Sequence, residues 1–235
     1  MTIRTIAETG STNADMLALA RSGAAEGLWL RAEQQSGGRG RQGRAWISPA
    51  GNLYASTLVR LRPSDPEAAT LALVAAVALQ EVVGAYLGTP TAAVLKWPND
   101  LLVDGAKLSG ILLERTGEAV VIGVGVNMAH HPGGLDRATT SLAAHGAMVD
   151  PERFLETLAD AFGRWLGIWR GQGLAPVRTR WLDRAHPLGA PLTARLPDDS
   201  VAEGLFDGLD SGGALVLRLA DGSRRVIHAA DIFLL

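Results

Sequence analysis

The stretch KWPNDLLVDGAKLSGILLE, residues 96–114, decides the fold of the first part of the chain. It holds two apolar runs with Asp104 and Gly105 between them. An Asp-Gly pair in that position is a strong signal for a two-residue hairpin turn, because both central residues of a type I′ turn need positive φ. The segment therefore predicts two antiparallel strands, with Lys107 opposite Leu102.

The same hairpin gathers polar side chains in one region of a sheet. The register predicts Ser109 near Asp100. Lys96 ends the preceding apolar strand, where a buried ammonium is costly without an anionic partner. Gly110 in a strand interior suggests close approach of a ligand or of another backbone. With Asn99 beside them, these residues indicate a binding site; the alternative is an ordinary hairpin with exposed lysines.

Strands and helices follow one another on both sides of the hairpin. Before it we predict strands in IRTIAET, LWLRAEQ, NLYASTLVRL and AVLKW, a helix in STNADMLALARSG, and a long helix at about residues 67–87. After it we predict a strand in EAVVIGVGVNM, an amphipathic helix over 151–169 and a shorter helix over 174–185. The long helix is apolar enough for a membrane span, but Gln80 and Glu81 interrupt it, which favours a buried helix.

The character of the sequence changes after Pro187. Short strands separated by turns follow in PLTARL, VAEGLFDGLD, ALVLRLADG and RRVIHAADIFLL. We therefore predict an α+β fold, with a mixed sheet flanked by helices in a domain over 1–186 and a small β-barrel over 187–235. A barrel of about 45 residues is marginal alone, so it should pack on the main domain.

Composition excludes several classes of protein. Of the 235 residues, 47% are apolar, so a core can form and global disorder is excluded. The net charge of -2 argues against a general nucleic-acid binder, and any basic site has to be local. The absence of cysteine excludes disulfides, thiolate metal sites and a cysteine nucleophile, and it suits a cytoplasmic location.

Positive charge is concentrated in SGGRGRQGRAW, residues 36–46, which we call the arginine loop. Arg39, Arg41 and Arg44 should repel one another while the loop is empty and mobile. A bound polyanion should order the loop, because arginine presents a planar fork of donors to phosphate or carboxylate oxygens. The glycines match the dinucleotide fingerprint, but no helical pattern follows, and the fingerprint requires one. The alternative is a solvated surface loop.

Other polar residues give weaker signals. Asn127 ends an apolar strand and can present its amide to a purine edge, and Trp46 can stack on a base; a turn residue and a core tryptophan are the ordinary alternatives. GSTN at residues 10–13 offers two hydroxyls and an amide, or a plain helix cap. His130 and His131 lack ligand spacing around them, so we assign them no metal role.

Five of these segments, in this order, resemble the catalytic domain of biotin–protein ligases: STN, QSGGRGRQGRAW, KWPNDL, KLSGILLE and GVGVN. GGALVLRLADG is similar to part of the family's SH3-like C-terminal barrel. The resemblance implies a class II synthetase-like fold. It also implies an enzyme that activates biotin with Mg-ATP to form biotinyl-5'-adenylate. Biotin then passes to a lysine of a biotin carboxyl carrier domain. The helix-turn-helix of some members has no counterpart, so we expect no DNA binding, and we expect no membrane association.

The resemblance also implies which residues contact each substrate. Those around biotin are Ser11, Thr12, Asn13, Gln35, Arg39, Gly40, Arg41, Lys107 and Gly110. Those on the ATP side are Arg39, Arg41, Arg44, Trp46, Lys96, Asn99, Asp100 and Asn127. Lys107, Arg41 and Arg39 are the catalytic candidates. Magnesium ion (Mg²⁺) is expected to arrive with ATP, and its protein ligands stay open.

Two alternatives and one departure from the family pattern accompany this interpretation. A lipoate–protein ligase shares the domain type and the adenylation chemistry, and a non-enzymatic module could use the loop to hold an anion. The sequence leaves open whether the chain is a monomer or a homodimer. SGG precedes the first loop arginine where the family often has threonine or alanine, and the extra glycine should loosen the loop.

Overall fold

The computed structural model describes residues 2–89, 91–134 and 137–234. The larger sheet contains β1 (Thr2–Thr9), β2 (Leu28–Gln35), β3 (Leu53–Arg60), β4 (Ala93–Lys96), β5 (Asp100–Val103), β6 (Ala106–Thr116) and β7 (Ala119–Val126). Their order in space is β1-β2-β3-β7-β6-β5-β4. Strands β1 and β2 are parallel, and the other neighbours are antiparallel. The predicted mixed sheet is therefore confirmed.

The hairpin of β5 and β6 forms around the predicted turn. Asp104 has a φ of 49° and Gly105 a φ of 75°, as the primed turn type requires. Lys107 lies opposite Leu102, as the register predicts. The Asp104-Gly105 turn is therefore sufficient to predict the first pairs of residues in the hairpin.

The register changes two residues further along the hairpin. Ser109 pairs with Leu101, not with Asp100, and Asp100 pairs with Gly110. Ser109 is therefore near Asp100, as predicted, but an irregularity between Leu101 and Leu102 shifts its partner by one residue from the one that a regular hairpin would give. The irregularity brings the Asp100 backbone opposite Gly110, at the site described below.

Helices cover both faces of the larger sheet. They are α1 (Thr12–Arg21), α2 (Leu71–Tyr86), α3 (Pro151–Gln172) and α4 (Leu174–Leu182). Alternate strand residues face opposite sides, as the period of a strand requires. Trp29 and Ile122 join the core with α2 and α3, whereas Leu28 and Val121 join a smaller core with Met16 of α1.

Helix α2 is the apolar helix that sequence analysis interprets as buried. By length and composition alone, Ala68–Tyr86 could cross a bilayer. Within the protein, 72% of the most apolar 18-residue segment of this helix is buried, and the helix packs against α3 and α4. The prediction of a buried core helix is confirmed.

The C-terminal strands form a second, antiparallel sheet. It contains β8 (Pro191–Arg195), β9 (Val201–Leu209), β10 (Leu215–Arg218), β11 (Arg224–Ile227) and β12 (Asp231–Leu234), in the order β11-β10-β9-β8-β12. The last predicted strand is two strands, because the chain turns between them. Trp97 donates its indole N–H to the Gly213 carbonyl at 3.1 Å, and Trp181 packs edge-on against Phe206. These contacts attach the small barrel to the main domain.

Candidate active site

One cavity of about 580 Å³ collects nearly all the residues singled out from the sequence. Its walls come from the start of α1, the ends of β2 and β4, the arginine loop, β5 to β7, and the barrel. The predicted residues that line it are Ser11, Thr12, Asn13, Gln35, Arg39, Gly40, Arg41, Arg44, Trp46, Lys96, Asn99, Asp100, Lys107 and Gly110. Segments distant in sequence therefore meet in one place.

One end of the cavity, which we call the neutral end, is an uncharged hydrogen-bond network around Thr12. The backbone N–H and hydroxyl of Thr12 both donate to Oε1 of Gln35, at 2.8 and 3.2 Å. The amide of Gln35 donates to the Ser48 hydroxyl at 3.1 Å. Ser56, fully buried on β3, bonds to Thr12 Oγ1 at 2.8 Å. These bonds fix each polar group in one orientation before any ligand binds.

Asn13 completes the neutral end and is held from behind. Its Oδ1 accepts from Ser56 at 2.6 Å, and its Nδ2 donates to a carboxylate oxygen of Glu114 at 2.9 Å. Gly123 leaves the space that the Asn13 amide occupies, since a Cβ there would overlap it. Neither Ser56 nor Glu114 was identified from the sequence, because each is a single polar residue on a strand without a motif around it.

Lys107 lies in the middle of the cavity. Its ammonium forms an ion pair with Asp100, and Arg137 approaches the other oxygen of Asp100 at 3.9 Å. Burial lowers the pKa of Lys107, and the Asp100 carboxylate opposes that shift. The ion pair therefore favours the charged form of Lys107 in a site that penalises charge.

Trp46 forms part of the cavity wall, on a surface that two glycines leave flat. A Cβ on Gly125 would lie 2.7 Å from the indole, and a Cβ on Gly110 would lie 3.2 Å from Lys107 Nζ. The Lys107 ammonium is 5.5 Å from the centre of the Trp46 ring. Among the described residues the buried indole N–H has no hydrogen-bond partner.

The other end of the cavity, which we call the cationic end, is built from the arginine loop and the barrel. Arg41 donates to Asn99 Oδ1 and to the Ala230 carbonyl, both at 3.4 Å. Arg44 forms an ion pair with Asp231. The expected self-repulsion of an empty loop is therefore reduced, because the barrel supplies acceptors to two of the three arginines.

The expectation that an extra glycine loosens the loop does not match its packing. A Cβ on Gly38 would lie 2.6 Å from both the Trp46 carbonyl and the Ser48 hydroxyl. The N–H of Gly37 donates to the Gly10 carbonyl at 2.8 Å. Glycine stands here because the backbone passes close to its neighbours.

Lys96 and two barrel residues complete the cationic end. Phe233 has the Lys96 ammonium 6.0 Å and the Arg195 guanidinium 5.3 Å from its ring centre. Burial lowers the pKa of Lys96, and Asp100 opposes that shift. The sequence contains two lysines, Lys96 and Lys107, and both line this cavity. Arg195, Phe233 and Asp231 were not identified from the sequence, because their strands carry no motif.

Asn127 is the predicted site residue that the structure does not bring to the cavity. It is 2% exposed, and its side-chain amide donates to the Thr140 carbonyl at 3.0 Å. Its backbone bonds to Leu108 and Leu142. This placement does not support the predicted contact with adenine; Asn127 instead fixes the segment that follows β7.

Metal-binding residues are sparse in this part of the molecule. Among the described residues, no group of three or more His, Asp or Glu side chains could hold a metal ion. His131 bonds to Ser141 at 3.1 Å, and no metal role is assigned to it.

Comparison with known proteins matches both parts of the chain. The family described as the biotin/lipoate A/B protein ligase family matches residues 9–127, and the biotin protein ligase C terminal domain matches 188–235. The chain is 44% identical to the biotin–[acetyl-CoA-carboxylase] ligase of Paracoccus denitrificans, over 97% of this chain and 98% of that one. It is 37% identical to the enzyme of the same name from Mycobacterium tuberculosis, over 97% and 86%.

A solved structure agrees with this relationship at the level of the fold. The biotin protein ligase of Aquifex aeolicus, in complex with biotin and ATP, superposes with a TM-score of 0.88 at 23% identity. The match covers 100% of this chain and 99% of that chain. The predicted fold class, including the SH3-like barrel, is confirmed. The chain belongs to the biotin/lipoate A/B protein ligase family.

Proposed function

We propose that this protein is a biotin–[acetyl-CoA-carboxylase] ligase. It activates biotin with ATP to biotinyl-5'-adenylate and transfers biotin to a lysine of a biotin carboxyl carrier domain. The observation that carries this conclusion is a single cavity with an uncharged hydrogen-bonding end, a buried lysine in the middle and a cationic end. A neutral ring with a carboxylate tail fits the first two parts, and a nucleotide triphosphate fits the last.

At the neutral end, we propose that Ser11, Thr12, Asn13 and Gln35 surround the ureido ring of biotin. An uncharged ring with N–H donors and a carbonyl acceptor is recognised best by groups that are already oriented. Support comes from the hydrogen bonds within the protein that fix Thr12, Asn13 and Gln35. Gly110 leaves room for the biotin chain to approach β6.

In the middle, we propose that Lys107 contacts the biotin carboxylate and the α-phosphate. Adenylation brings two negative groups together, so a fixed cation lowers the barrier by screening their repulsion and holding them in line. Arg39, Gly40 and Arg41 close over the same region. On the ATP side, we propose Arg44, Lys96, Asn99 and Asp100 near the phosphates and Trp46 against the adenine.

Mg²⁺ fits this donor set as an ion carried by ATP. It is usually bound through one or two carboxylates and the substrate phosphates and keeps several waters. Asp100 and Asp231 line the cavity, and each already pairs with a cation. When bound, Mg²⁺ supplies further neutralisation of phosphate charge.

The remaining parts of the proposal concern partners and setting. Relatives named for acetyl-CoA carboxylase support a biotin carboxyl carrier domain as the acceptor. We propose a cytoplasmic enzyme with a catalytic domain over 1–186 and a barrel domain over 187–235. Monomer and homodimer are equally compatible with the proposed site.

The test is incubation with biotin, Mg-ATP and a carrier domain, followed by mass spectrometry. One biotinyl group on one carrier lysine is expected, and a carrier with that lysine changed to arginine is the control. Lipoate in place of biotin tests the alternative ligase; preferential lipoyl transfer would replace the biotin assignment. Binding of biotin without ATP-dependent pyrophosphate release would indicate a non-enzymatic module.

A further inference from the structure

Arg195 is a cavity residue that neither a sequence motif nor the proposed function uses. It ends β8 of the barrel and lines the cationic end of the cavity. Its guanidinium lies 5.3 Å from the centre of the Phe233 ring, which the Lys96 ammonium also approaches, to 6.0 Å. The Phe233 ring on β12 therefore contacts Lys96 from the main domain and Arg195 from the barrel at the same wall of the cavity.

Neither cation forms a close ion pair with a carboxylate among the residues that the structure describes. Arg44 and Lys107 pair with Asp231 and Asp100, but within residues 2–89, 91–134 and 137–234 no carboxylate lies within 4.0 Å of the charged atoms of Lys96 or Arg195. Asp100 and Asp231 act on Lys96 at longer range, and two cations that share no close ion pair beside a cavity attract a multiply charged anion. The aromatic contact keeps the arginine in place without consuming its hydrogen-bond donors.

We propose that Arg195, supported by Phe233, acts with Lys96 to bind the β- and γ-phosphates of ATP and to stabilise pyrophosphate as it leaves. This inference rests on the proposed function. An oxygen of the biotin carboxylate attacks the α-phosphorus as the bond to the bridging β-phosphate oxygen breaks. Pyrophosphate departs with that electron pair, and no proton is transferred. Negative charge therefore grows on the group that Arg195 faces.

A consequence follows for the two half-reactions. Pyrophosphate is present during adenylation and absent during transfer to the carrier. Arg195 should therefore act on the first half-reaction alone. A residue that only held the barrel in place would affect both.

The experiment compares the half-reactions in Arg195→Ala, with Arg225→Ala as the matched control. Arg225 is an exposed barrel arginine on β11 and does not line the cavity. Adenylation is followed by biotin-dependent exchange between ATP and labelled pyrophosphate. Transfer is followed separately, from synthetic biotinyl-5'-adenylate to the carrier domain.

Arg195→Ala should raise the KM for ATP and the inhibition constant of pyrophosphate about tenfold each, as expected for one lost charge-assisted contact. Transfer from the synthetic adenylate should change less than about twofold. Arg195→Lys should recover part of the loss, because it keeps the charge without the planar fork. Phe233→Leu should show a smaller defect in the same half-reaction, and Arg225→Ala should match the parent enzyme.

Three other results are informative. An equal loss in both half-reactions would assign Arg195 a structural role and overturn the inference. An unchanged KM for ATP in an active Arg195→Ala enzyme would also overturn it, while leaving the proposed function intact. If the parent enzyme itself shows no biotin-dependent exchange, the proposed function fails, and the inference fails with it.

Discussion

The two ends of the cavity are constructed in opposite ways. At the neutral end, all hydrogen bonds lie within the main domain. Thr12 bonds to Gln35, and the buried Ser56 bonds to both Thr12 and Asn13. At the cationic end, Arg41 and Arg44 reach the barrel at Ala230 and Asp231. The first end is complete within one domain, whereas the second needs both.

This difference in construction suits the neutral end to recognition of biotin and the cationic end to the chemical steps. Oriented neutral groups lose little entropy when a ring of fixed shape binds, so they favour selectivity. Charges held across two domains can be redistributed when a nucleotide arrives, because a phosphate can replace Asp231 or the Ala230 carbonyl as the partner of an arginine. We therefore expect changes at the cationic end to affect reaction steps, and changes at the neutral end to affect biotin affinity.

The largest effect is expected from Lys107→Ala, at the boundary between the two ends. Adenylation should slow at least about 100-fold, the scale of losing one preorganised group that stabilises developing charge. The fold should survive, because Arg137 remains 3.9 Å from the Asp100 carboxylate. Single-turnover pyrophosphate release measures the chemistry, and thermal unfolding measures the fold. Wild-type burst kinetics in a folded variant would contradict the assigned position of Lys107.

The second effect is expected from Arg41→Gly. Biotinyl-5'-adenylate should dissociate about tenfold faster, because Arg41 spans from the loop to Asn99 and to the barrel. Affinity for biotin alone should change much less. Dissociation is measured by chasing bound adenylate with excess unlabelled adenylate.

Gln42→Gly is the matched control for added flexibility in the same loop. Gln42 already has a φ of 56°, which glycine adopts without strain, and its side chain does not line the cavity. Equal loss of biotin and adenylate affinity in Arg41→Gly would contradict a role of the loop in retaining the adenylate.

The same contrast decides what could be predicted from sequence. STN and Gln35 at the neutral end were identified through the resemblance to biotin–protein ligases, whereas the hairpin turn follows from the residues Asp104 and Gly105 themselves. The one-residue shift beyond Leu101 could not be predicted, because an irregularity between strands depends on packing and not on turn chemistry.

Long-range pairs were missed for a related reason. Arg44 and Asp231 are 187 residues apart, and neither strand pattern nor motif relates them. Ser56 and Glu114, the partners of Asn13, were missed because each is a single polar residue on a strand, and its contact with Asn13 depends on tertiary packing. Sequence thus identified the residues that line the cavity more completely than the residues that hold them in place.

A smaller effect is expected from Glu114→Ala, which acts on the neutral end through Asn13. Removing the acceptor of the Asn13 amide at 2.9 Å lets that amide rotate, so the KM for biotin should rise about fivefold with little change in kcat. Glu114→Gln should recover most of the affinity, because its carbonyl oxygen can still accept. Glu118→Ala, which removes a carboxylate paired only with Arg115 among the described residues, is the control. A fall in kcat at unchanged KM would argue against positioning through Asn13.

The smallest effect separates the two ends without any substitution. Raising the ionic strength from about 0.1 M to about 0.3 M shortens the screening length below about 10 Å, and exposed charges then attract a nucleotide less. The KM for ATP should rise about threefold, since Arg44 and Arg195 are both exposed. The KM for biotin should change less than about 1.5-fold, because the site that we propose for its ring consists of neutral groups. Steady-state kinetics in two salts with different anions distinguish screening from competition by one anion. Parallel increases in both KM values would mean that the neutral end also depends on charge, and the division of the cavity proposed here would not hold.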